Sequence, residues 1–303
     1  MTHKIVIAGG TGALGTSIIK QYYGSDSDVV VLSRSEKPTD NNIRYVSWDA
    51  KSLGDWKNEL EESSALINLV GKSVNCRYTS ANKKEIIDSR VNSTLILGEA
   101  INAVLNPPSV WINAGSAAIF GNSGDTIKEE GDETGNGFSP EVCKQWENAF
   151  NKTDTPQTRK VFLRIGMVLQ SNKGVLKPFV NLSQFGLGGK IGSGKQYITW
   201  LHEQDFINLI NWVITNDEIN GVLHASSPNP VTNEEFMYQI RRACNVPFGL
   251  PNPALFTKIG ALFIKTEAEL VLSGRRVVSR ILKEKQFKFQ YPHIQQALRQ
   301  LIQ

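Results

Sequence analysis

The chain has 303 residues, 40% of them hydrophobic, and a formal net charge of +4, which is typical of a globular protein and too mild to indicate a nucleic-acid partner. No apolar stretch reaches the roughly 18 residues of a membrane span, and no signal-peptide pattern precedes the first strand. Cys76, Cys143 and Cys244 lack the spacing of a disulfide framework or a metal site, so we expect a cytoplasmic protein with no metal, nucleic acid or membrane as partner.

A glycine-rich loop directly follows the first predicted strand, residues 4–7, and precedes a predicted helix over residues 16–23. Gly9 allows a tight turn, Gly12 lets the backbone approach a pyrophosphate, and Gly15 lets the helix pack closely on the strand. The free N–H groups and the partial positive charge at the helix start favour a phosphate. An ordinary glycine turn is the alternative, but the order of strand, loop and helix favours a dinucleotide. The predicted cofactor-binding loop comprises Gly9, Gly10, Thr11, Gly12, Ala13, Leu14 and Gly15.

Strand-like and helix-like segments alternate through the first half of the chain. Predicted strands cover residues 29–32, 43–48, 65–71, 110–114 and 160–164, and a long helix is predicted over residues 80–105. Strands separated by helices pair in parallel through right-handed crossovers. The predicted fold class is therefore α/β, with a Rossmann-type doubly wound parallel sheet whose ligands bind at the carboxyl ends of the strands.

The second half of the chain has a different pattern, with a glycine-rich region that ends at Gly194. Residues 205–215 predict a helix, residues 221–225 predict a strand that returns to the sheet, and Thr232 begins a helix with a capping box. We therefore predict two domains. The Rossmann domain comprises residues 1–169 plus about 201–227, and a smaller, discontinuous C-terminal substrate domain comprises about 170–200 and 228–303.

The end of the second predicted strand bears on the choice between NAD and NADP. An acidic residue there would bind the ribose 2′-hydroxyl of NAD, but the strand ends in Ser33, Arg34 and Ser35. The Arg34 guanidinium can meet a 2′-phosphate with two N–H donors, and the two serines can add hydrogen bonds. The sequence therefore favours NADP(H) over NAD(H), with a solvated surface arginine as the alternative interpretation of Arg34.

Two further strand ends lie beside the predicted cofactor. Asp49 follows the third strand, where it would accept a hydrogen bond from the adenine amine or remain a solvated loop aspartate. The fourth strand ends in Asn68, Leu69, Val70 and Gly71, and the missing side chain of Gly71 permits close approach of the backbone. We predict that these residues complete the cofactor site.

Motifs along nearly the whole chain resemble the extended short-chain dehydrogenase/reductase group. They are residues 9–15 with GxxGxxG spacing, 68–71, 88–90, 115–121, 163–166, 192–202, 227–232, 273–277 and 287–292. Together they are similar to the atypical NAD-dependent epimerase subgroup with a C-terminal domain of unknown function, whose members are often labelled sugar-nucleotide epimerases or cell-division inhibitors. The resemblance implies a Rossmann fold and a nicotinamide cofactor.

The resemblance also implies a serine after the fifth strand, which assists a Tyr-xxx-Lys pair on the next helix in acid/base chemistry. Ser116 matches this serine, and its alternative role is to stabilise the loop. The expected tyrosine is missing, because no tyrosine occurs between Tyr78 and Tyr197. Cys143, on the helix predicted over residues 139–150, is the candidate replacement, with packing against the sheet as the alternative.

The predicted substrate side carries cationic, polar and aromatic residues. Arg164, after the sixth strand, would contact an anion or pair with a nearby carboxylate. The glycine-rich loop offers Lys190 and Lys195 to an anionic substrate, Gln196 for hydrogen bonding and Trp200 for stacking. The alternative is a mobile surface loop whose lysines face water.

These observations support two hypotheses of different class. The first is an NADP(H)-binding oxidoreductase or epimerase-like protein that acts on an unidentified small molecule without the usual Tyr-xxx-Lys pair. The second is a catalytically silent NADP(H)-binding regulatory protein, which the resemblance links to cell division. Both hypotheses account for the glycine loop, because a fold that binds a dinucleotide does not by itself determine whether a reaction takes place. By analogy with the superfamily, in which helices of two subunits often pair, a homodimer is a further expectation.

Overall fold

The molecule is built of short strands and helices that alternate along the chain. The computed structural model describes residues 3–35, 37–263 and 267–303. Its strands are β1 (Lys4–Ala8), β2 (Asp28–Ser33), β3 (Ile43–Ser47), β4 (Ala65–Asn68), β5 (Val110–Ser116), β6 (Ile127–Lys128), β7 (Arg159–Ile165), β8 (Met167–Gln170), β9 (Lys173–Gly174), β10 (Tyr197–Ile198), β11 (Trp200–His202), β12 (Gly221–Ala225), β13 (Val231–Thr232) and β14 (Arg276–Val277).

Helices connect most of these strands. They are α1 (Ala13–Tyr22), α2 (Ser80–Asn102), α3 (Phe138–Lys152), α4 (Leu176–Gln184), α5 (Glu203–Thr215), α6 (Asn233–Ala243), α7 (Ala254–Phe263), α8 (Glu269–Leu272), α9 (Arg280–Glu284) and α10 (Ile294–Ile302). Two 3₁₀ turns cover Asp55–Leu60 and Ala117–Phe120. The second of these turns directly follows β5 and shapes the edge of the sheet where the site lies.

Seven strands form one parallel sheet in the order β12-β7-β5-β4-β1-β2-β3. The apolar run from Val29 to Leu32 in β2 is completely buried, as expected for a strand covered on both faces. β1 pairs with β2 on one side and with β4 on the other, so the strand order reverses at this point. Ligands of doubly wound sheets bind at such a switch point, and the fold class predicted from the sequence is confirmed.

A second buried cluster lies beside the sheet in the C-terminal half of the chain. It joins α4, α6 and α10 with the short strands β8 and β11, through side chains that include Phe179, Phe236 and Leu298. The small sheet β11-β8-β9 begins directly after β7, so the two cores are continuous in the chain. The smaller C-terminal region is therefore assembled from segments that are distant in sequence.

Several predicted boundaries shift in the structure. α1 begins at Ala13, inside the glycine loop, rather than at residue 16, and β4 ends at Asn68, so residues 69–71 form a loop. The predicted start of α6 is confirmed, because the Thr232 hydroxyl accepts a hydrogen bond from the Glu235 N–H at 3.3 Å. The earlier end of β4 leaves residues 69–71 as loop backbone at the carboxyl edge of the sheet, where a ligand can approach it.

Across residues 3–35, 37–263 and 267–303, none of the helices combines the length and apolar character required to cross a membrane. Within these same stretches, no three His, Cys, Asp or Glu side chains gather in a way that could hold a metal ion.

Candidate functional site

The glycine loop and the loop after β4 lie against each other at the switch point. Gly9 has a φ of +78°, and a Cβ there would lie 3.0 Å from backbone atoms of both Leu69 and Val70. Since L side chains rarely adopt this φ and the space is already filled, only glycine fits position 9. The structure thus brings together two segments that were predicted separately as parts of one cofactor site.

The N-terminus of α1 has no capping side chain. Gly12 occupies the N-cap position, no side chain accepts a hydrogen bond there, and the first turn carries no acidic residue. A Cβ on Gly12 would meet nothing closer than the carbonyl oxygen of Gly9 at 3.5 Å, so there is space beside the backbone. Orphan N–H groups and the positive end of a helix dipole, next to open space, fit a diphosphate.

Gly15 is needed for a different contact from the predicted one. A Cβ at this position would lie 2.4 Å from Cα of Gly10, so α1 packs on the loop itself rather than on the strand. A Cβ on Gly10 would in turn lie 2.8 Å from the Val31 side chain of β2. Gly10 and Gly15 therefore hold the loop close to the sheet and fix the position of the helix N-terminus.

Basic residues lie at and near the end of β2. Arg34 is exposed and makes no ion pair with another described residue, while the buried Ser33 hydroxyl accepts a hydrogen bond from the Ser35 N–H at 3.3 Å. The Lys37 ammonium lies 5.3 Å from the centre of the Tyr45 ring. A cavity of about 410 Å³ opens here, and its lining includes Gly10, Thr11, Thr16, Lys20, Lys37 and Tyr45. The edge beside the glycine loop therefore has the charge that favours a phosphate group.

Asp49 is exposed after β3, and its own loop engages its carboxylate. The carboxylate accepts hydrogen bonds from the Lys51 and Ser52 N–H groups at 2.8 and 2.9 Å, and from the Ser52 hydroxyl at 2.8 Å. The backbone donors of Ser52 and Lys51 lower the pKa of Asp49 to about 2. Asp49 thus shapes this loop as a carboxylate, and its contact with an adenine amine stays a prediction.

Asn68 lies at the end of β4 in a buried hydrogen-bond network. Its amide N–H donates to Oδ1 of Asn113 at 2.7 Å, and its Oδ1 accepts from the Val70 N–H at 3.1 Å. Thr94 of α2 extends the network and accepts a hydrogen bond from the Trp146 indole N–H at 3.1 Å. Because the Asn68 side chain is completely buried, it can act on a cofactor only through the loop that it positions.

Ser116 is the half-buried last residue of β5. Its hydroxyl oxygen accepts a hydrogen bond from the Ala118 N–H at 3.1 Å and caps the 3₁₀ turn Ala117–Phe120. This contact uses the oxygen as an acceptor and leaves the hydroxyl hydrogen to donate to a substrate oxygen. The two roles predicted for Ser116, in the loop and toward a substrate, are therefore compatible.

Cys143 of α3 is a packing residue in this structure. Its side chain is 5% exposed and clusters with Phe120 and Val277. Burial raises the pKa of the thiol to about 11, although the charges of Arg90 and Arg275 oppose the shift. A thiol with such a pKa stays protonated at neutral pH and is poorly matched to acid/base catalysis. The prediction that Cys143 replaces the missing tyrosine is corrected to the packing alternative.

Arg164 is neutralised inside the protein. Its side chain donates from Nε and Nη2 to both carboxylate oxygens of Glu147, at 3.0 and 2.9 Å, and from Nη1 to the carbonyl of Glu130 at 3.0 Å. The residue is only 5% exposed. Of the two predicted roles, pairing with a carboxylate is present, and the substrate contact of Arg164 is corrected because all three nitrogen atoms already donate within the protein.

The glycine-rich loop before β10 is hydrogen-bonded to the segment that precedes α7. Its Gly192 N–H donates to the carbonyl of Asn252 at 2.8 Å. Lys190 and Lys195 of this loop are exposed, and Lys190 Nζ lies 3.9 Å from the Glu234 carboxylate. The exposed ammonium groups remain able to meet an anion, so their substrate contact stays a prediction.

Gln196 and Trp200 are buried and bonded to backbone carbonyls. The Gln196 amide N–H groups donate to Ile191 at 2.8 Å and Val271 at 3.2 Å. Trp200 has no exposed surface, and its indole N–H donates to the carbonyl of Asn229 at 2.9 Å. A ring without an exposed face cannot stack on a ligand, so the predicted stacking of Trp200 is wrong. Gln196 is corrected from a substrate contact to a residue that holds the C-terminal segment in place.

Two arginines, Arg90 of α2 and Arg275 before β14, join this edge of the sheet without having been predicted as site residues. The Arg90 Cζ would lie 3.0 Å from a Cβ placed on Gly71, so it borders the loop after β4. A signal for Arg90 existed, because it lies four residues from both Ile86 and Thr94, which are buried on the sheet-facing side of α2. For Arg275 the only signal in the sequence was the resemblance motif of residues 273–277, and that motif did not place the side chain at this edge.

Comparisons with known families match both halves of the chain. The model of the NAD dependent epimerase/dehydratase family matches residues 5–141, which include the glycine loop, β2 and Ser116. A domain of unknown function, DUF1731, matches residues 253–301, which include Arg275.

Individual relatives are similar over nearly the whole chain. Epimerase family protein SSP1921 of Staphylococcus saprophyticus is 32% identical over 100% of both chains. The chloroplastic SDR39U1 homologue of Arabidopsis thaliana is 29% identical, over 99% of this chain and 86% of that one. The crystal structure of human epimerase family protein SDR39U1 (isoform 2) with NADPH superimposes with a TM-score of 0.87 at 26% identity, over 99% of both chains.

Proposed function

The chain belongs to the NAD-dependent epimerase/dehydratase family, and on this premise we propose that it binds NADP(H) and acts as an oxidoreductase or epimerase-like enzyme on a small molecule. One observation carries the proposal: the uncapped N-terminus of α1, behind Gly9 and Gly12, lies at the same edge as the cationic end of β2. The human relative with NADPH supports the same cofactor.

The preference for a 2′-phosphate is argued from charge. β2 ends in Ser33 and is followed by Arg34 and Ser35, so these described residues place no carboxylate there to accept from a ribose 2′-hydroxyl or to repel a phosphate. Arg34 is exposed, and Lys20 and Lys37 line the neighbouring cavity. A guanidinium can hold a phosphate through two parallel hydrogen bonds, and the ammonium groups add attraction.

The residues of this chain would bind the cofactor and orient the substrate. The first-turn N–H groups of α1 would hold the diphosphate, Asn68 would position the loop of residues 69–71, and Ser116 would donate a hydrogen bond to a substrate oxygen. When bound, NADP(H) would supply the hydride donor or acceptor. α3 has no tyrosine and its Cys143 thiol stays protonated, so we assign proton transfer to water rather than to either of these positions.

A second candidate function is an NADP(H)-binding regulatory protein without turnover. The observation in its favour is the composition of α3, where Val142, Cys143 and Trp146 are buried packing residues. A helix that packs through these side chains and lacks the tyrosine would retain cofactor binding and lose the usual chemistry. The cofactor half of the proposal is common to both candidates.

Isothermal titration with NADPH and NADH tests the cofactor preference. We expect the parent protein to bind NADPH more tightly than NADH. Arg34→Ala should weaken NADPH binding by about 10- to 100-fold, as expected for a hydrogen bond to a charged group, and leave NADH binding unchanged. Arg299→Ala, which removes an exposed arginine of α10, is the matched control. Tighter binding of NADH by the parent protein would overturn the preference.

Turnover separates the two candidate functions. The NADPH-loaded protein is incubated with a panel of carbonyl compounds and nucleotide sugars, and nicotinamide absorbance and sugar products are followed. An enzyme converts at least one compound, and Ser116→Ala lowers its kcat by roughly a hundredfold, as for loss of one oxyanion donor. Tight NADPH binding without conversion of any compound would favour the regulatory protein.

A further inference from the structure

We propose that Arg90 and Arg275 together bind an anionic group of the substrate, a carboxylate or a phosphate, at the strand ends that carry Gly71 and Ser116. This inference rests on the proposed function, because it names the substrate class for the same site. It concerns binding alone and adds no chemical step.

Arg90 reaches this edge from α2 and is held firmly. Its Nη1 donates to the carbonyls of Lys72 and Ile86 at 3.0 and 2.9 Å, and its guanidinium lies 5.1 Å from the centre of the Trp146 ring. These contacts orient the group, but carbonyl oxygens and an indole face do not neutralise a full charge. Arg90 makes no ion pair with any other residue that the structure describes.

Arg275 reaches the same edge from the C-terminal region, on a backbone bonded to β10 and the residue after it. Its N–H donates to the carbonyl of Tyr197 at 3.1 Å, and its carbonyl accepts from the Thr199 hydroxyl at 2.7 Å. Two residues later, Val277 packs in the cluster that contains the 3₁₀ turn directly after Ser116. Within the described part of the chain, the Arg275 guanidinium has neither a hydrogen bond nor an ion pair.

Both arginines are partly removed from water near the same buried thiol. Each is half-buried, and burial lowers the pKa of each guanidinium. Both charges oppose the rise in the pKa of the Cys143 thiol, so both guanidinium groups lie within electrostatic range of this side chain. Glu269 acts on Arg275 from beyond ion-pair distance. Because burying a cation without a counter-charge is unfavourable, the two groups together favour a bound anion.

Arg164 provides a comparison, because it is an arginine near Cys143 whose charge is balanced within the protein. It also acts on Cys143, but both oxygens of Glu147 neutralise it at hydrogen-bond distance. Arg90 and Arg275 lack such a carboxylate. The proposed function assigns the cofactor phosphates to α1 and the end of β2, which leaves these two guanidinium groups for the substrate. Their planar forks suit the paired oxygens of a carboxylate or phosphate.

Anion titration tests this site without requiring turnover. Oxalate and inorganic phosphate are titrated by calorimetry into the protein, with and without saturating NADPH, and oxamide serves as the uncharged control. We expect one of the anions to bind and oxamide not to bind. Arg275→Gln should weaken anion binding at least tenfold, because a charge-assisted pair is lost. Arg276→Gln, the neighbouring arginine that stacks on the Tyr197 ring at 4.9 Å, should change it less than twofold.

Each outcome decides the inference. No anion binding, or an equal loss in Arg275→Gln and Arg276→Gln, would overturn it. If Arg275→Gln does not fold, Arg275→Lys is used: an ammonium cannot make the bidentate pair, so at least threefold weaker binding of oxalate is expected, and unchanged binding overturns the proposal. The titration without NADPH distinguishes the proposed cofactor binding from the proposed anion site. Failure of NADPH to bind would contradict the proposed function alone, and NADPH binding without anion binding would contradict this inference alone. The anion that binds more tightly identifies the substrate group.

Discussion

The proposed site has a cofactor end and a substrate end, which are built in opposite ways. The cofactor end depends on the backbone of one short segment, residues 9–15, whose glycines allow a close approach and an uncapped helix N-terminus. The proposed substrate end is assembled from side chains that are far apart in sequence, namely Arg90, Ser116 and Arg275. A backbone site needs only a local conformation, whereas a side-chain site needs several elements to be packed correctly.

This difference has an energetic consequence. Glycines and free N–H groups at the cofactor end introduce no buried charge. A binding site of this kind therefore does not lower the stability of the folded protein. The substrate end buries several arginines in one neighbourhood, and of Arg90, Arg164 and Arg275 only Arg164 has an ion-pair partner among the described residues. We therefore expect substitutions at the substrate end to change stability more than substitutions at the cofactor end.

The largest effect is expected where a buried charge loses its partner. Glu147→Gln leaves Arg164 buried without a counter-charge and should lower the free energy of unfolding by about 3–5 kcal/mol. Urea denaturation followed by fluorescence measures this loss. The NADPH affinity of the folded variant should stay within twofold of the parent, because the pair lies at the substrate end.

A double variant separates the pair from its parts. Arg164→Met combined with Glu147→Leu removes both charges, and replacement of a buried pair by apolar residues is often neutral. The double variant should recover most of the stability that Glu147→Gln loses. An equal loss in both proteins would show that the residues matter for their shape rather than their charge.

A smaller effect is expected from the Cys143 thiol at high pH. Its pKa is raised from 9.0 to about 11 in the folded protein, so the unfolded chain releases this proton first as pH rises. Below pH 9 the thiol makes its full contribution to the stability of the folded protein, and this contribution is lost as pH rises toward 11. The full loss is about 3 kcal/mol for a shift of this size.

Cys143→Ala isolates this contribution. Unfolding free energies of both proteins are measured below pH 9 and near pH 11. Tyr22, whose pKa burial raises to about 12, titrates in both proteins and cancels in the difference. The parent should lose more stability than Cys143→Ala over this range. Parallel curves would indicate that the thiol titrates as an exposed group and would weaken the packing assignment.

The contrast between a local backbone site and a site assembled from distant side chains also explains which features the sequence could predict. The parallel sheet, the glycine loop and the end of β2 depend on neighbours in sequence, so local patterns were sufficient to predict them. Trp200 and Gln196 were misassigned because their partners, Asn229 and Val271, are distant in the chain and only the fold brings them together. Arg275 could not be placed for the same reason, since its position depends on hydrogen bonds to residues 197 and 199.

The smallest effects are expected at the cofactor end, where two glycines provide a matched pair. Gly15→Ala places a methyl group 2.4 Å from Cα of Gly10 and should lower stability by about 1–3 kcal/mol. Gly12→Ala meets nothing closer than 3.5 Å and should change stability by less than about 0.5 kcal/mol. Its methyl group would nevertheless occupy the space where the diphosphate approaches, so NADPH should bind roughly tenfold more weakly, a loss of about 1.4 kcal/mol. Thermal melting and calorimetric titration of both variants separate folding from binding. NADPH binding by Gly12→Ala equal to that of the parent would show that the diphosphate does not lie against this turn.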